Sequence, residues 1–237
     1  MQIFLLKRIN ESEAQLEEQE SRHCIKVLRH KAGDHIHAID GKGVKYLCEI
    51  REANPKEVGL VILSEVSGWG EHTTKIHLAI SPLRLKDRFE WAMEKAVELG
   101  VNEIHPIICA RTDVYKAKFK ANRIANILLS ATKQCKRSHI PLLHENKPFT
   151  SFLENTQTGL QLMGYCEATS PLMDFETKIK SSEVLSLIIG PEGDFTEAEC
   201  QLAKSKGVEL ISLGENRLRT ETAAIYTLGS IKYIKAY

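Results

Sequence analysis

Two short segments carry most of the polar and glycine chemistry of this 237-residue chain: GPEGDF at 190–195 and LGENRLRTETAA at 213–224. Each follows an apolar run that reads as a buried strand, VLSLIIG (184–190) and ELISL (209–213), and in an open α/β sheet the carboxyl ends of strands are where ligands bind. Gly190 and Gly193 let main chain approach a ligand closely, and Pro191 stiffens the loop between them. A loop of this kind reads a flat heterocycle through backbone groups. A lone glycine pair is more often an ordinary tight connection, but the second segment shifts the balance. There Arg219, Thr220, Glu221 and Thr222 crowd polar groups onto a helix start flanked by Leu218, Ala223 and Ala224. A helix amino terminus favours anionic or hydrogen-bonding ligands.

Other chemistries find less support. No G-x-G-x-x-G follows a strand and no G-x-x-x-x-G-K-[ST] is present, so neither a dinucleotide fold nor a P-loop is indicated. The six cysteines are scattered without a CxxC pair and read as reduced thiols, and the nine histidines show no metal spacing, so no metal is expected. The apolar run at the amino terminus is four residues before Lys7, short of a signal segment, and no stretch reaches membrane-spanning length; a cytoplasmic protein without membrane association is expected.

Net charge is only +1, but its distribution is uneven. Residues 11–20 hold five glutamates and no base, whereas 22–31 hold Arg22, His23, Lys26, Arg29, His30 and Lys31 and no acid. Between 111 and 139, eight basic residues, Lys116, Lys118, Lys133 and Arg137 among them, stand against Asp113 alone. One such cluster is usually a solvated helix face; two point to a polyanionic partner.

The elements that must position these groups fall into two domains. Residues 1–72 read as short strands, 3–6, 35–39, 45–50 and 58–63, separated by Gly33-Asp34, Asp40-Gly41-Lys42-Gly43 and Asn54-Pro55 turns, with one helix over 19–30: a small β-barrel-like domain. SGWGEHTT (67–74) has linker composition. From 73 to 237 strands and helices alternate, the pattern of an α/β domain with a mostly parallel sheet. Its helices include 86–100, stopped by Gly100, residues 121–136, and one opened by a Thr196–Glu199 capping box; a last helix starts near Thr220.

IGPEGDFT (189–196) together with LGENRLRTETA (213–223) closely resembles the paired carboxyl-terminal motifs of the 16S rRNA uridine-N3 methyltransferase family, within the SPOUT superfamily. HCIKVLRHKAGD (23–34) is similar to that family's amino-terminal RNA-domain signature, and KDRFEWAMEKAVELGVNEIHP (86–106) to the opening of its catalytic domain. SATKQCKRSHIP (130–141) matches a further motif, with Lys133 where many relatives carry an acid. The resemblance implies a PUA-like barrel over 1–72, a SPOUT α/β domain over 73–237 tied in a trefoil knot, and a homodimer. It also implies S-adenosyl-L-methionine held by Tyr165, Ile189, Gly190, Glu192 and Gly193 on one side and by Leu213, Gly214, Leu218, Thr222 and Ala223 on the other. Arg219 would stabilise a uracil losing its N3 proton, while Glu221 is either base, orienter or compensation for the helix dipole. Arg22, His23, Lys26, Arg29, Lys133 and Arg137 would hold 16S rRNA or the small ribosomal subunit. A catalytically silent RNA-binding or ribosome-assembly protein, or a methyltransferase of another RNA, would share the fold. The completeness of both loop motifs favours the enzyme, and the barrel with HCIKVLR favours rRNA.

Overall fold

The computed structural model describes residues 1–113, 119–154 and 159–236; Lys116 and Lys118 of the second basic stretch lie outside them. The chain divides into two compact units, Met1–His72 with Leu129–Ile140, and Thr73–Leu128 with Pro141–Tyr237. Residues 129–140 read in sequence as part of the second domain, yet they group with the first.

The first unit is a closed barrel in the order β1 (Ile3–Arg8), β2 (Glu13–Leu16), β5 (Gly59–Ser67), β4 (Val44–Glu52) and β3 (His35–Ile39). Period-2 alternation on β4 turns Tyr46, Cys48 and Ile50 inward, where they meet Phe4, Leu6, Leu16, Ile36 and Leu60. Strand β2 escapes a pattern reading because it is four residues long inside the glutamate-rich stretch, with only Ala14 and Leu16 facing the core. The helix expected over 19–30 is shorter: α1 (Glu18–Arg22) runs into a π-helical turn (His23–Val27), and Arg29 takes a positive φ of 60° that ends it. Ser21 fixes α1 to the barrel. Its hydroxyl donates to the Leu16 carbonyl at 3.0 Å and accepts from the Val58 amide at 2.9 Å.

The second unit holds β6 (Lys75–Ile80), α2 (Lys86–Glu98), β7 (Val101–Ile108), α3 (Ala121–Gln134, whose last turns belong to the first unit), β8 (Leu142–Leu143), β9 (Lys147–Pro148) and α4 (Phe149–Glu154). After these come β10 (Leu160–Gly164), a 3₁₀ turn (Leu172–Phe175), α5 (Glu176–Ser181), β11 (Val184–Ile189), α6 (Glu197–Ser205), β12 (Glu209–Ile211) and α7 (Thr220–Ala236). Every strand pairing in this sheet is parallel, in the order β12-β10-β11-β6-β7-β8, with β9 also on β7. Leu185 through Ile189 are all buried, as a central parallel strand covered on both faces requires. On α7 the buried residues Ala223, Ala224, Thr227, Leu228 and Ile231 recur at helical spacing and turn one stripe inward. The register places Gly164 opposite both Ile189 and Ile211, so the loops leaving β10, β11 and β12 start side by side. Among the described residues no helix is long and apolar enough to cross a membrane.

Candidate functional site

Those three loops enclose a cavity of about 330 Å³. Its apolar wall is Ile189, Leu213, Leu218 and Ala223; Gly190 and Gly214 add bare main chain, and Tyr165 and Glu192 complete the expected residues that line it. Gly190 has a specific reason to be glycine. A Cβ there would lie 2.8 Å from the Phe195 ring, which is buried under the loop. The loops are tied together: the Thr220 hydroxyl donates to the Gly190 carbonyl at 3.0 Å, and the Ser81 amide to the Ile189 carbonyl at 3.0 Å. The Glu192 carboxylate accepts from the Arg84 amide at 3.2 Å. The Tyr165 hydroxyl donates to Glu167 at 3.1 Å, and burial followed by that acidic neighbour pushes its pKa up to about 12, so it stays protonated.

The carboxylates of Glu192, Asp194 and Glu215 and the guanidinium groups of Arg217 and Arg219 belong to the same cavity. Arg219 is exposed at its rim, immediately before α7. Glu221 is elsewhere. It is buried, does not line the cavity, and its carboxylate lies 3.6 Å from Arg88. Each residue of α7 turns the side chain by about 100°, which carries Glu221 away from the groups beside it in sequence. Thr222 is exposed and outside the lining, and so is Gly193, whose Cβ position faces the Arg111 side chain at 3.1 Å while its carbonyl accepts from Arg111 Nη1 at 2.9 Å.

Sequence reasoning missed Cys166, Asp194 and Arg217. The Cys166 amide donates to Asp194 at 3.1 Å, and Arg217 lines the same cavity beside Cys166. Cys166 lies in GYCE, a loop with no glycine pair or helix start, whereas Asp194 and Arg217 stand inside the two quoted motifs, away from their glycines and helix start.

In the first unit, Arg22, His23 and Lys133 come together around a concave surface of about 730 Å³, also lined by Glu18 and Glu20. Arg22 pairs with Glu18 at 2.6 Å and Lys133 with Glu20 at 2.6 Å. Lys26 and Arg29 are exposed but outside that concavity. Arg137 departs from the expected role in holding RNA. Only 4% exposed, it grips Glu71 through Nε at 3.1 Å and Nη2 at 2.6 Å, and Glu71 also accepts the Ser138 and His139 amides. Its guanidinium is committed to holding that segment together. A second departure concerns the histidines, dispersed in sequence but not in space: His77 and His105 lie beside Glu103 with donor atoms within 4.8 Å of one another.

An RNA methyltransferase domain model matches residues 70–232, and an RNA methyltransferase PUA domain model matches 16–63. Ribosomal RNA small subunit methyltransferase E of Bacillus subtilis (strain 168) is 28% identical over 225 residues, covering 91% of this chain and 88% of that protein. The protein of the same name from Mesomycoplasma hyopneumoniae (strain 232) is 29% identical over 215 residues, covering 85% and 91%. Among solved structures, a ribosomal RNA small subunit methyltransferase E from Neisseria gonorrhoeae bound to S-adenosyl methionine superposes with a TM-score of 0.86 at 28% identity, covering 99% of this chain and 98% of that one.

Proposed function

The chain belongs to the RNA methyltransferase family, with a PUA domain ahead of its SPOUT domain, and from that premise we propose that it methylates N3 of a uridine in small-subunit (16S) ribosomal RNA, using S-adenosyl-L-methionine. The observation that carries this reading is the cavity where the loops after β10, β11 and β12 meet, walled by both sequence motifs and rimmed by Arg219. Its residues fit the cofactor: apolar walls and bare main chain suit a flat nucleoside, and the three carboxylates suit a cationic sulfonium. Bound there, S-adenosylmethionine supplies an electrophilic methyl and leaves as the neutral thioether.

The rest falls to the chain's own groups. N3 of uridine is hidden in the Watson-Crick edge and protonated at neutral pH, so the base has to be unpaired before it reaches the cavity. Arg219, at the helix start, faces the negative charge that develops on the uracil as its N3 proton passes to solvent water. Glu221, turned toward Arg88, positions that arginine and offsets the α7 dipole rather than taking the proton. Gly193 braces its loop through Arg111, Thr222 lies outside the lining, and the remaining expected cofactor residues form the pocket itself.

The exposed bases Arg22, Lys26 and Arg29 of residues 1–72, with His23 and with Lys133 from 129–140, form the RNA-docking surface of the first unit, and 73–237 otherwise carries the chemistry in a trefoil-knotted sheet. The same reading takes the protein as a cytoplasmic homodimer. Tyr226 and Tyr233, seven residues apart on α7, are 53% and 68% exposed, an aromatic face that a second copy would cover. Mapping N3-methyluridine in 16S rRNA from cells lacking the gene tests the proposal: one uridine should lose its methyl and regain it on complementation, whereas an unchanged map refutes the reading.

A further inference from the structure

Histidines 77, 105 and 144 are far apart in the chain, yet the register of three parallel strands sets them side by side. His77 on β6 pairs with Glu103 on β7; His105 follows Glu103 by two residues and shares its face; His144 comes directly after the β8 residue Leu143, which pairs with Ile104. His144 Nε2 and Glu103 are 2.7 Å apart, and the His105 and His144 rings stack at 4.0 Å with 12° between their planes. Phe152 of α4 closes over His105 at 5.5 Å.

Buried polar groups in a folded protein almost always have partners. Here His77 and His105 are 4% and 6% exposed, and neither ring nitrogen of His77 nor Nε2 of His105 has a hydrogen-bond partner among the described residues. Glu103 oxygens approach them, at 3.7 Å and 3.4 Å, without making that bond. Unpaired lone pairs on two imidazoles converging with a carboxylate are what a transition-metal ion requires.

We propose that His77, Glu103 and His105 bind one divalent transition-metal ion, zinc by ligand type, with His144 holding the Glu103 carboxylate in place. The protonation states suit this role. Burial lowers both imidazoles, His105 down to about 4, so they are neutral donors at physiological pH. Burial alone would raise Glu103, but the His144 hydrogen bond holds it below its ordinary value. His144 is then the outer partner that orients a ligating carboxylate. His77 and Glu103 lie near the amino ends of β6 and β7, and the cofactor cavity is at the carboxyl ends of the sheet, so the ion clamps strands and stands apart from the methyl-transfer chemistry.

The test uses the full-length protein stripped with a chelator and titrated with Zn²⁺ alone, followed by calorimetry and thermal melting. One equivalent should bind per chain and raise Tm, and Co²⁺ should give the strong visible bands of a low-symmetry, four-coordinate site. Saturation should be lost in His77→Gln and His105→Gln, weakened at least about 10-fold in His144→Gln, and kept in His35→Gln, which alters an exposed histidine. Zinc binding undiminished in the His77→Gln/His105→Gln double variant would overturn the site. Should those variants fail to fold, the wild-type Co²⁺ spectrum decides: absence of binding, or only the weak bands of a hydrated ion, overturns the proposal.

Discussion

Arg219 combines a permanent charge with a planar fork of donors at the rim of the cavity, and the two properties can be separated by substitution. Arg219→Lys keeps the charge and loses the fork. If Arg219 acts on the uracil as its proton leaves, turnover should fall by about 100-fold or more while S-adenosylmethionine affinity stays within about threefold, because such an interaction is made mainly in the transition state. Single-turnover methylation with excess enzyme, beside calorimetry, reads both quantities; a folded variant transferring methyl at the wild-type rate removes Arg219 from the mechanism. Cys166 offers an independent probe of the same cavity. Cys24 and Cys48 are buried, with thiols pushed up to about 11 by burial, whereas Cys166 is exposed at the loop after β10. Burial and Asp194 raise its thiol too, against the lowering effect of Arg217, so alkylation should accelerate as pH rises beyond the ordinary thiol value. Saturating S-adenosylmethionine should protect it, as peptide mass spectrometry will show; unprotected modification would place the cofactor elsewhere. Most residues legible in sequence stood in the two loop motifs, though Asp194 and Arg217 stand there too and were not singled out. Cys166 and Asp194 become neighbours only through β10–β11 pairing, and the direction of Glu221 depends on helix rotation, neither of which local spacing contains.

Helix α6 shows how an element can serve as both a stop and a brace. Its capping box was readable from Thr196 and Glu199, and both halves form: the Thr196 hydroxyl accepts the Glu199 amide at 3.3 Å, and Glu199 accepts the Thr196 amide at 2.8 Å. Less visible in sequence, Glu199 also accepts the Ala110 amide at 2.8 Å, from the segment after β7. Thr196→Ala should therefore cost about 1 kcal/mol, lowering Tm by roughly 2–4 °C in a chain of this size. Glu199→Ala should cost more, by about 1–3 kcal/mol, since it also strands the Ala110 donor. Equal melting temperatures for the two variants would show that the cap is the whole effect. Long, strongly patterned elements such as α2, β11 and α7 were legible because burial on one or both faces repeats along them. The short pieces β2, β8, β9, α4 and α5 were not, being two to six residues long and held by their neighbours rather than by a period of their own.

At the scale of the whole molecule, a net charge of +1 conceals an uneven distribution of charge along the chain. The basic residues of the two stretches have different fates. Arg137 is buried against Glu71, so Arg137→Gln should destabilise the first unit by about 1–3 kcal/mol by leaving the largely covered Glu71 carboxylate without its counter-charge, and any loss of RNA binding would follow from unfolding. Arg22, Lys26 and Arg29 are exposed, and neutralising them removes charge without removing packing. In the triple variant Arg22→Gln, Lys26→Gln, Arg29→Gln, affinity for small-subunit rRNA should fall, and the slope of log K against log salt should shrink by about two to three, roughly one counterion for each phosphate that is no longer neutralised. Cofactor affinity should not change, since none of the three lines the cavity in the second unit. Salt-titrated RNA binding and S-adenosylmethionine calorimetry on one preparation distinguish the cases. An unaltered salt slope would remove these bases from the docking surface, and joint loss of both ligands in a folded protein would mean that RNA and cofactor share one site.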